Sequence, residues 1–183
     1  WQVYRKERLC QTTRLVSTAE RASQIIMFTL TENFITPDQE RDLVVRIRSR
    51  MNLTRKLSVG KERTRILRYG WDYLKPSIWK GAIPDWIPVA MEGCNNVTVN
   101  EYPPGHFILP HIDSAAFDDE IMVLSLGENA VMVFTSPMGW DELRELRPRS
   151  LATFSGEHRT KFKHSTLPTE QGFRYSVVYR RKV

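Results

Sequence analysis

Beyond residue 95 the chain breaks into short β-rich segments divided by turn signals, and this punctuation constrains its fold more than any other feature. The segments are Asn96–Tyr102, Ile121–Leu126, Ala130–Phe134, Ser150–Phe154 and Arg174–Arg181. Pro103-Pro104-Gly105, Gly127-Glu128-Asn129 and Ser136-Pro137-Met138-Gly139 lie between them. Many short strands at this spacing predict a sandwich or barrel. Upstream, Ile25–Leu30 reads as a short buried strand. Thr36-Pro37-Asp38-Gln39 reads as a helix start, with Thr36 as the cap, Pro37 in the first helical position and Gln39 closing a capping box. Leu43, Val44, Ile47 and Met51 recur at helical spacing, which predicts an amphipathic helix over about 37–51 with Arg41 and Arg48 on its polar face. The expected class is α+β, mainly β, in a single domain spanning 1–183: a strand, helix and basic segment over 25–68, an irregular aromatic stretch over 69–95, and the β core over 96–183.

Composition excludes alternatives. The chain has 183 residues, of which 41% are hydrophobic and 26% charged, so it can bury a core and is not a disordered chain. The apolar runs, such as Ile25 to Phe28, fall far short of the ~20 residues of a membrane helix, so no membrane partner is expected. Two cysteines, Cys10 and Cys94, with no CxxC, point to a reducing intracellular compartment, cytoplasm or nucleus ahead of the mitochondrion. A chain starting at Trp1 is expected to be part of a longer product.

The net charge of +6 is concentrated. Residues 41–68 hold ten bases against Asp42 and Glu62, a surplus of +8, so the remainder is slightly acidic. Such a patch suits a polyanion, although a solvated helix face explains it equally well.

Three polar groupings carry chemistry. His111-Ile112-Asp113 closes an expected strand, and period-2 alternation puts its imidazole and carboxylate on one side. Two histidines and one carboxylate on one face suit a non-haem Fe(II) centre. A third ligand would come from His164 or His158, across two or three strands, and sequence proximity does not choose between them. In the last segment Arg174, Ser176, Val178 and Arg180 share a face. Two inward arginines are costly to bury without anions, and a dicarboxylate would satisfy both. Asn100 and Tyr102 alternate in the same way and offer an amide and a phenol to such a carboxylate.

In order, Asn100-Glu-Tyr102-Pro-Pro-Gly105, His111-Ile-Asp113, Leu124-Ser-Leu-Gly127, Gly156-Glu-His-Arg159, His164 and Arg174-Tyr-Ser176 ending in Arg180 resemble the AlkB family of Fe(II)- and 2-oxoglutarate-dependent dioxygenases. Phe28 to Asp42 and Arg68-Tyr69-Gly70 are similar to that family's N-terminal strand, helix and lid entry. The resemblance implies a double-stranded β-helix, or jelly-roll, core. It implies His111, Asp113 and His164 as iron ligands, since His164 follows Arg159 by the family's step and His158 falls inside the motif. It implies Arg174 on the distal carboxylate of 2-oxoglutarate, Arg180 on the end near the metal, and Asn100, Tyr102 and Ser176 around them. The reaction implied uses Fe(II), O2 and 2-oxoglutarate to oxidise a C–H bond, releasing succinate and CO2, and formaldehyde when an N-methyl group is removed. Removing Asp113 is expected to abolish turnover and leave the fold nearly intact.

The substrate implied is a modified base in DNA or RNA, met as a single strand by a monomer. Tyr69, Trp71 and Tyr73 alternate, so an extended segment would put three rings on one side beside Arg68, fit to sandwich an extruded base. Repair members of the family carry an acid two residues after the H-x-D aspartate for reading a cationic base; here that residue is Ala115, with Asp118, Asp119 and Glu120 following. Phe117 to Gly127 and the step to His164 are similar to the family member fused to a tRNA wobble-uridine methyltransferase. The loop after Asp113 also has the length found in the mitochondrial member. A same-fold oxygenase acting on a protein or small molecule, and an inactive binding module, are the alternatives.

Overall fold

Residues 28–55 and 65–183 are described by a computed structural model. The strands are β1 (Phe28–Thr31), β2 (Arg65–Gly70), β3 (Asn96–Tyr102), β4 (Ile108–His111), β5 (Ile121–Gly127), β6 (Ala130–Thr135), β7 (Asp141–Leu146), β8 (Leu151–Phe154), β9 (Lys163–Thr166) and β10 (Arg174–Arg180). The helices are α1 (Pro37–Arg55) and the single-turn α2 (Gly156–Thr160). Two antiparallel sheets form a jelly-roll sandwich: a larger one in the order β1-β8-β5-β10-β3-β2 and a smaller one in the order β4-β9-β6-β7.

Alternation in β10 shows how the layers assemble. Tyr175, Val177 and Tyr179 point from the larger sheet toward α1, where they join Leu43, Ile47, Met51, Val97 and Val99 in one core. Arg174, Ser176, Val178 and Arg180 point the other way and line a cavity. Val178 also joins Ile121, Val123, Met132, Phe134 and Phe154 in a second core. Each fully buried aliphatic side chain contributes about 1.5–3 kcal/mol.

Helix α1 starts with the reciprocal capping box. The Thr36 N–H donates to Gln39 Oε1 at 2.8 Å, and the Gln39 N–H donates to Thr36 Oγ1 at 3.2 Å. One turn in, Glu40 fastens the helix to the sheet. Its carboxylate accepts the Gly127 N–H at 2.9 Å and pairs with Arg149 at 2.9 Å. Gly127 has φ +79°, and a Cβ there would strike the Phe173 carbonyl, so the turn closing β5 requires glycine.

Several expectations need correction. The first strand runs Phe28–Thr31 and alternates between half-buried and exposed, because it is an edge strand covered on one side; residues 25–27 lie outside the described residues. The basic segment ends in β2, which pairs with β3. β7, sequence DELREL, was not expected, because an exposed edge strand needs little apolar alternation. Four strands, not two or three, separate His111 from His164. Arg48 does not sit on a free polar face: its Nε donates to Tyr175 Oη at 2.9 Å. Much of the basic run is paired, Arg41 with Asp38, Arg46 with Asp42 and Arg65 with Glu101. Lys56, Lys61 and Arg63 lie outside the described residues, as does Cys10, while Cys94 is a free thiol.

Candidate metal centre and adjoining pocket

His111 ends β4 and His164 sits in β9, directly opposite it in register. Asp113 follows two residues after His111, beyond the strand. One ligand atom from each of the three lies within 4.8 Å of the others, so the group could hold a metal ion. The His111 Nδ1–H donates to the Leu109 carbonyl at 2.8 Å, which leaves Nε2 facing Asp113 Oδ1 at 3.4 Å. His164 Nε2 lies 4.0 Å from the same oxygen. A carbonyl partner on the far nitrogen is the usual way of orienting a ligating imidazole.

Asp113 is held from every side. Tyr73 Oη donates to Oδ1 at 2.7 Å, and Arg180 Nε donates to Oδ2 at 2.7 Å. Burial alone would raise this carboxyl, but Arg180, His111 and His164 outweigh it and hold the group well below the usual carboxylate range. Burial pushes His164 down to about 3, so it is neutral and ready to ligate. Burial would also lower His111, but hydrogen bonds to Asp113 and Leu109 reverse the direction. Tyr73 is pushed up to about 12 by burial and by Asp113.

Strand alternation does not bring Asp113 to its place, because β4 ends at His111. Arg159 holds the loop instead. Its guanidinium donates to the carbonyls of Asp113 at 3.0 Å, Ser114 at 2.7 Å, Phe117 at 3.2 Å and Asp118 at 3.3 Å. Sequence reasoning placed Arg159 in a motif but assigned it no task. The available signal was an arginine beside the expected third ligand. His158 is separate: its Nε2 faces Glu142 Oε2 at 3.0 Å and its ring stacks on Phe162.

Beside the triad lies a cavity of about 190 Å³ between the sheets, lined among others by Asn100, Tyr102, Arg174, Ser176 and Arg180. Arg174 is wholly buried and has no acidic partner among the described residues. Its Nη2 reaches Ser125 Oγ at 3.4 Å, Tyr102 is a further side-chain hydrogen-bond partner with the guanidinium over its ring, and Nε has no hydrogen-bond partner. Burial lowers its pKa. A buried, uncompensated cation is costly, and a ligand carboxylate would answer that demand. Asn100 Nδ2 donates to Ser176 Oγ at 3.1 Å on the same floor. Arg180 lines the cavity at the end beside the triad. Its Nε is committed to Asp113, and Nη1 reaches Asn96 Oδ1 and Thr98 Oγ1, both at 3.3 Å.

The three lid aromatics do not share a side. Tyr69 turns into the helix-side core against Trp86, and Trp71 packs on Trp79 with Lys182 over its ring. Tyr73 alone reaches the cavity, stacked on Phe117. Gly70, at φ +72°, and the Trp71–Trp79 bridge turn the chain at the end of β2, so alternation does not carry through. Arg68, before that turn, lines the cavity. None of the acids after Ala115 does. Asp118 and Glu120 pair with Arg181, and Asp119 Oδ2 accepts the Gly156 N–H at 2.9 Å.

No family model matches the chain. By sequence it is 32% identical over 155 residues to the Xenopus tropicalis tRNA (carboxymethyluridine(34)-5-O)-methyltransferase alkbh8, an alignment covering 76% of this chain and 25% of that protein. It is 44% identical over 75 residues to the Mus musculus protein of that name, covering 40% of this chain and 11% of that one. The chain therefore spans a quarter or less of the length of these relatives. An uncharacterized protein, L905 of Acanthamoeba polyphaga mimivirus, is 25% identical over 169 residues, covering 81% of this chain and 77% of that protein. Among solved structures, OsALKBH1 superposes with a TM-score of 0.60 at 15% identity over 85% of this chain and 98% of that one. A Pseudomonas putida prolyl-4-hydroxylase superposes with a TM-score of 0.58 at 15% identity, over 86% of this chain and 93% of that one, and these likenesses bear on the fold.

Proposed function

The chain is a member of the AlkB-like family, and on that premise we propose that it is an Fe(II)- and 2-oxoglutarate-dependent dioxygenase acting on a modified base in nucleic acid. The observation that carries the reading is the adjacency of two complementary demands: a His-Asp-His triad, and a buried arginine lacking an anion in the cavity beside it. Iron would be held by His111, Asp113 and His164, and 2-oxoglutarate would place its distal carboxylate on Arg174. When bound, iron and 2-oxoglutarate supply the activation of O2 and the oxidation of a C–H bond, leaving succinate and CO2.

The protein's own residues do the positioning. Arg180 and Tyr73 fix the Asp113 carboxylate from both oxygens, so it stays ionised and aimed. His164 stays neutral because it is buried. Asn100, Ser176 and Tyr102 form the wall along which a five-carbon diacid would lie. Ile66, Leu74 and Ile108 give the rest of the cavity an apolar lining.

Two of the sequence relatives above are named for a modified uridine of tRNA, which favours RNA as the nucleic acid. The test is nucleoside mass spectrometry after incubation with Fe(II), ascorbate and 2-oxoglutarate, using methylated single-stranded DNA and RNA and bulk tRNA, with 2-oxoglutarate omitted as control. Loss or hydroxylation of one nucleoside that depends on 2-oxoglutarate is expected. Succinate without any nucleoside change would keep the oxygenase and move the substrate to a protein or small molecule. No succinate with any substrate would overturn the enzyme itself.

A further inference from the structure

The guanidinium groups of Arg68, Arg174 and Arg180 line the cavity and no carboxylate does; Asp113 stands in the triad beside it. Arg180 is bound to that carboxylate. Arg174, on the reading above, meets the far end of 2-oxoglutarate. A divalent ion and a dicarboxylate cancel each other's charge, so with Arg180 paired to Asp113 the loaded cavity keeps the positive charges of Arg174 and Arg68, and of these only Arg68 is left without an anion against it.

The placement of Arg68 is not accidental to the fold. It stands on β2 opposite Thr98 of β3, whose hydroxyl accepts Arg180 Nη1. It therefore faces the cavity from the strand next to the floor. Its Nε is buried without a hydrogen-bond partner, and no acid among the described residues pairs with it. Its companions Ile66, Tyr73 and Leu74 carry no charge. The acids that could have balanced it, Asp118, Asp119 and Glu120, are engaged elsewhere.

We infer that Arg68 is a specificity-determining residue that takes an oxyanion of the substrate, a carboxylate or a phosphate, and so turns away a cationic methylated base. The inference rests on the oxygenase reading for its context. Its chemistry is charge-assisted hydrogen bonding from a planar guanidinium, beside which a second cation would be repelled.

The first test needs no nucleic acid. Wild type, Arg68→Gln and Arg68→Lys are loaded with Mn(II) and N-oxalylglycine, a non-reacting 2-oxoglutarate analogue, and titrated calorimetrically with sulfate at constant ionic strength. Wild type is expected to bind sulfate and Arg68→Gln to bind it about tenfold more weakly or not at all. N-oxalylglycine affinity should stay unchanged, and Arg68→Lys should recover part of the loss. Equal sulfate affinity in wild type and Arg68→Gln would overturn the proposal. So would a parallel loss of N-oxalylglycine, which would assign Arg68 to the cosubstrate.

The second test uses single-stranded RNA containing one pyrimidine whose 5-substituent ends in a carboxylate, its methyl ester or an amine. Wild type should prefer the carboxylate, then the ester, then the amine, and Arg68→Gln should flatten the order. Equal weakening of all three by Arg68→Gln would identify a backbone phosphate as the oxyanion. A wild-type preference for the amine would overturn the proposal. If sulfate binds through Arg68 but no RNA binds, the nucleic-acid reading fails and the oxyanion site stands.

Discussion

The floor of the cavity and its mouth are built on different backbone. Every residue of β3 and β10 is buried, and each strand pairs on both sides within the larger sheet. β2 and β4, which carry Arg68 and His111, are edge strands with half-exposed residues, and Tyr73 and Asp113 stand on loops. On the floor a side chain's direction follows from alternation alone. At the mouth it follows from particular clamps: Arg159 on the carbonyls after Asp113, and the Gly70 turn before Tyr73. The floor can tolerate a buried cation such as Arg174 because the strands around it cannot move away. The mouth can be re-aimed by changing one contact.

The largest expected effect lies where the two regions meet, at Asp113. Asp113→Ala should abolish metal binding and turnover. The sequence-based expectation that the fold would survive nearly intact does not hold for this geometry. Asp113 is the buried partner of Arg180, and breaking such a pair costs about 3–5 kcal/mol. Asp113→Asn keeps the volume but lacks the charge, and should lose metal with a smaller drop in stability. Thermal unfolding beside Mn(II) titration checks both. An Asp113→Ala protein as stable as wild type would show that the floor does not depend on this ion pair.

A smaller effect is expected one layer deeper. Arg174→Ala should raise the 2-oxoglutarate requirement about a hundredfold, the worth of a bidentate charged pair of ~3 kcal/mol. Metal affinity should be unaffected, because Arg174 touches none of the triad. Arg174→Met, which keeps most of the volume and removes the uncompensated buried cation, should be no less stable than wild type. Unchanged cosubstrate dependence would remove Arg174 from the cavity's function.

The contrast also explains what was legible in the chain. β3 matches its expected bounds, and β5, β6, β8 and β10 match theirs within a residue, because β-branched and aromatic residues recur through them between clear turn signals. Arg174, Ser176, Asn100 and Tyr102 were placed on one surface by counting in twos, and they do line one cavity. The mouth was not legible in that way. Counting in twos through Tyr69, Trp71 and Tyr73 fails because Gly70 adopts a positive φ inside the count. β7 is not legible because a polar edge strand carries little apolar alternation. Arg159 was seen only as a motif letter, since its partners are backbone carbonyls, which no side-chain pattern announces.

Arg159→Met separates clamp from ligand. It removes the donors to four carbonyls around Asp113 while leaving all three metal-binding side chains in place. Metal affinity should fall about tenfold or more, as when an outer partner of a ligand is lost. The 2-oxoglutarate affinity of protein saturated with metal should change little, because the floor does not depend on that loop. A matching loss at both sites would mean that floor and mouth move together.

The smallest effect is a slope. In metal-free protein His164 titrates at about 3, below its ordinary value of 6.5, because burial disfavours its charged form. The unfolded chain therefore binds a proton that the folded chain refuses between those limits. Stability from this group is fully present above about 6.5 and is lost as pH falls toward 3, at up to ~1.4 kcal/mol per pH unit. Asp113, held low, adds loss of the same sign only below its ordinary value of 3.8. His111 is shifted upward and acts oppositely, gaining stability as it protonates above 6.5, so it does not mimic the slope between 6 and 4. Urea unfolding of EDTA-treated protein at pH 6, 5 and 4 measures it; His158, also lowered by burial, adds loss of the same sign, so His164→Gln should reduce the slope without abolishing it. A slope unchanged in His164→Gln would place the titrating group elsewhere and leave the mouth no more sensitive to acid than the floor.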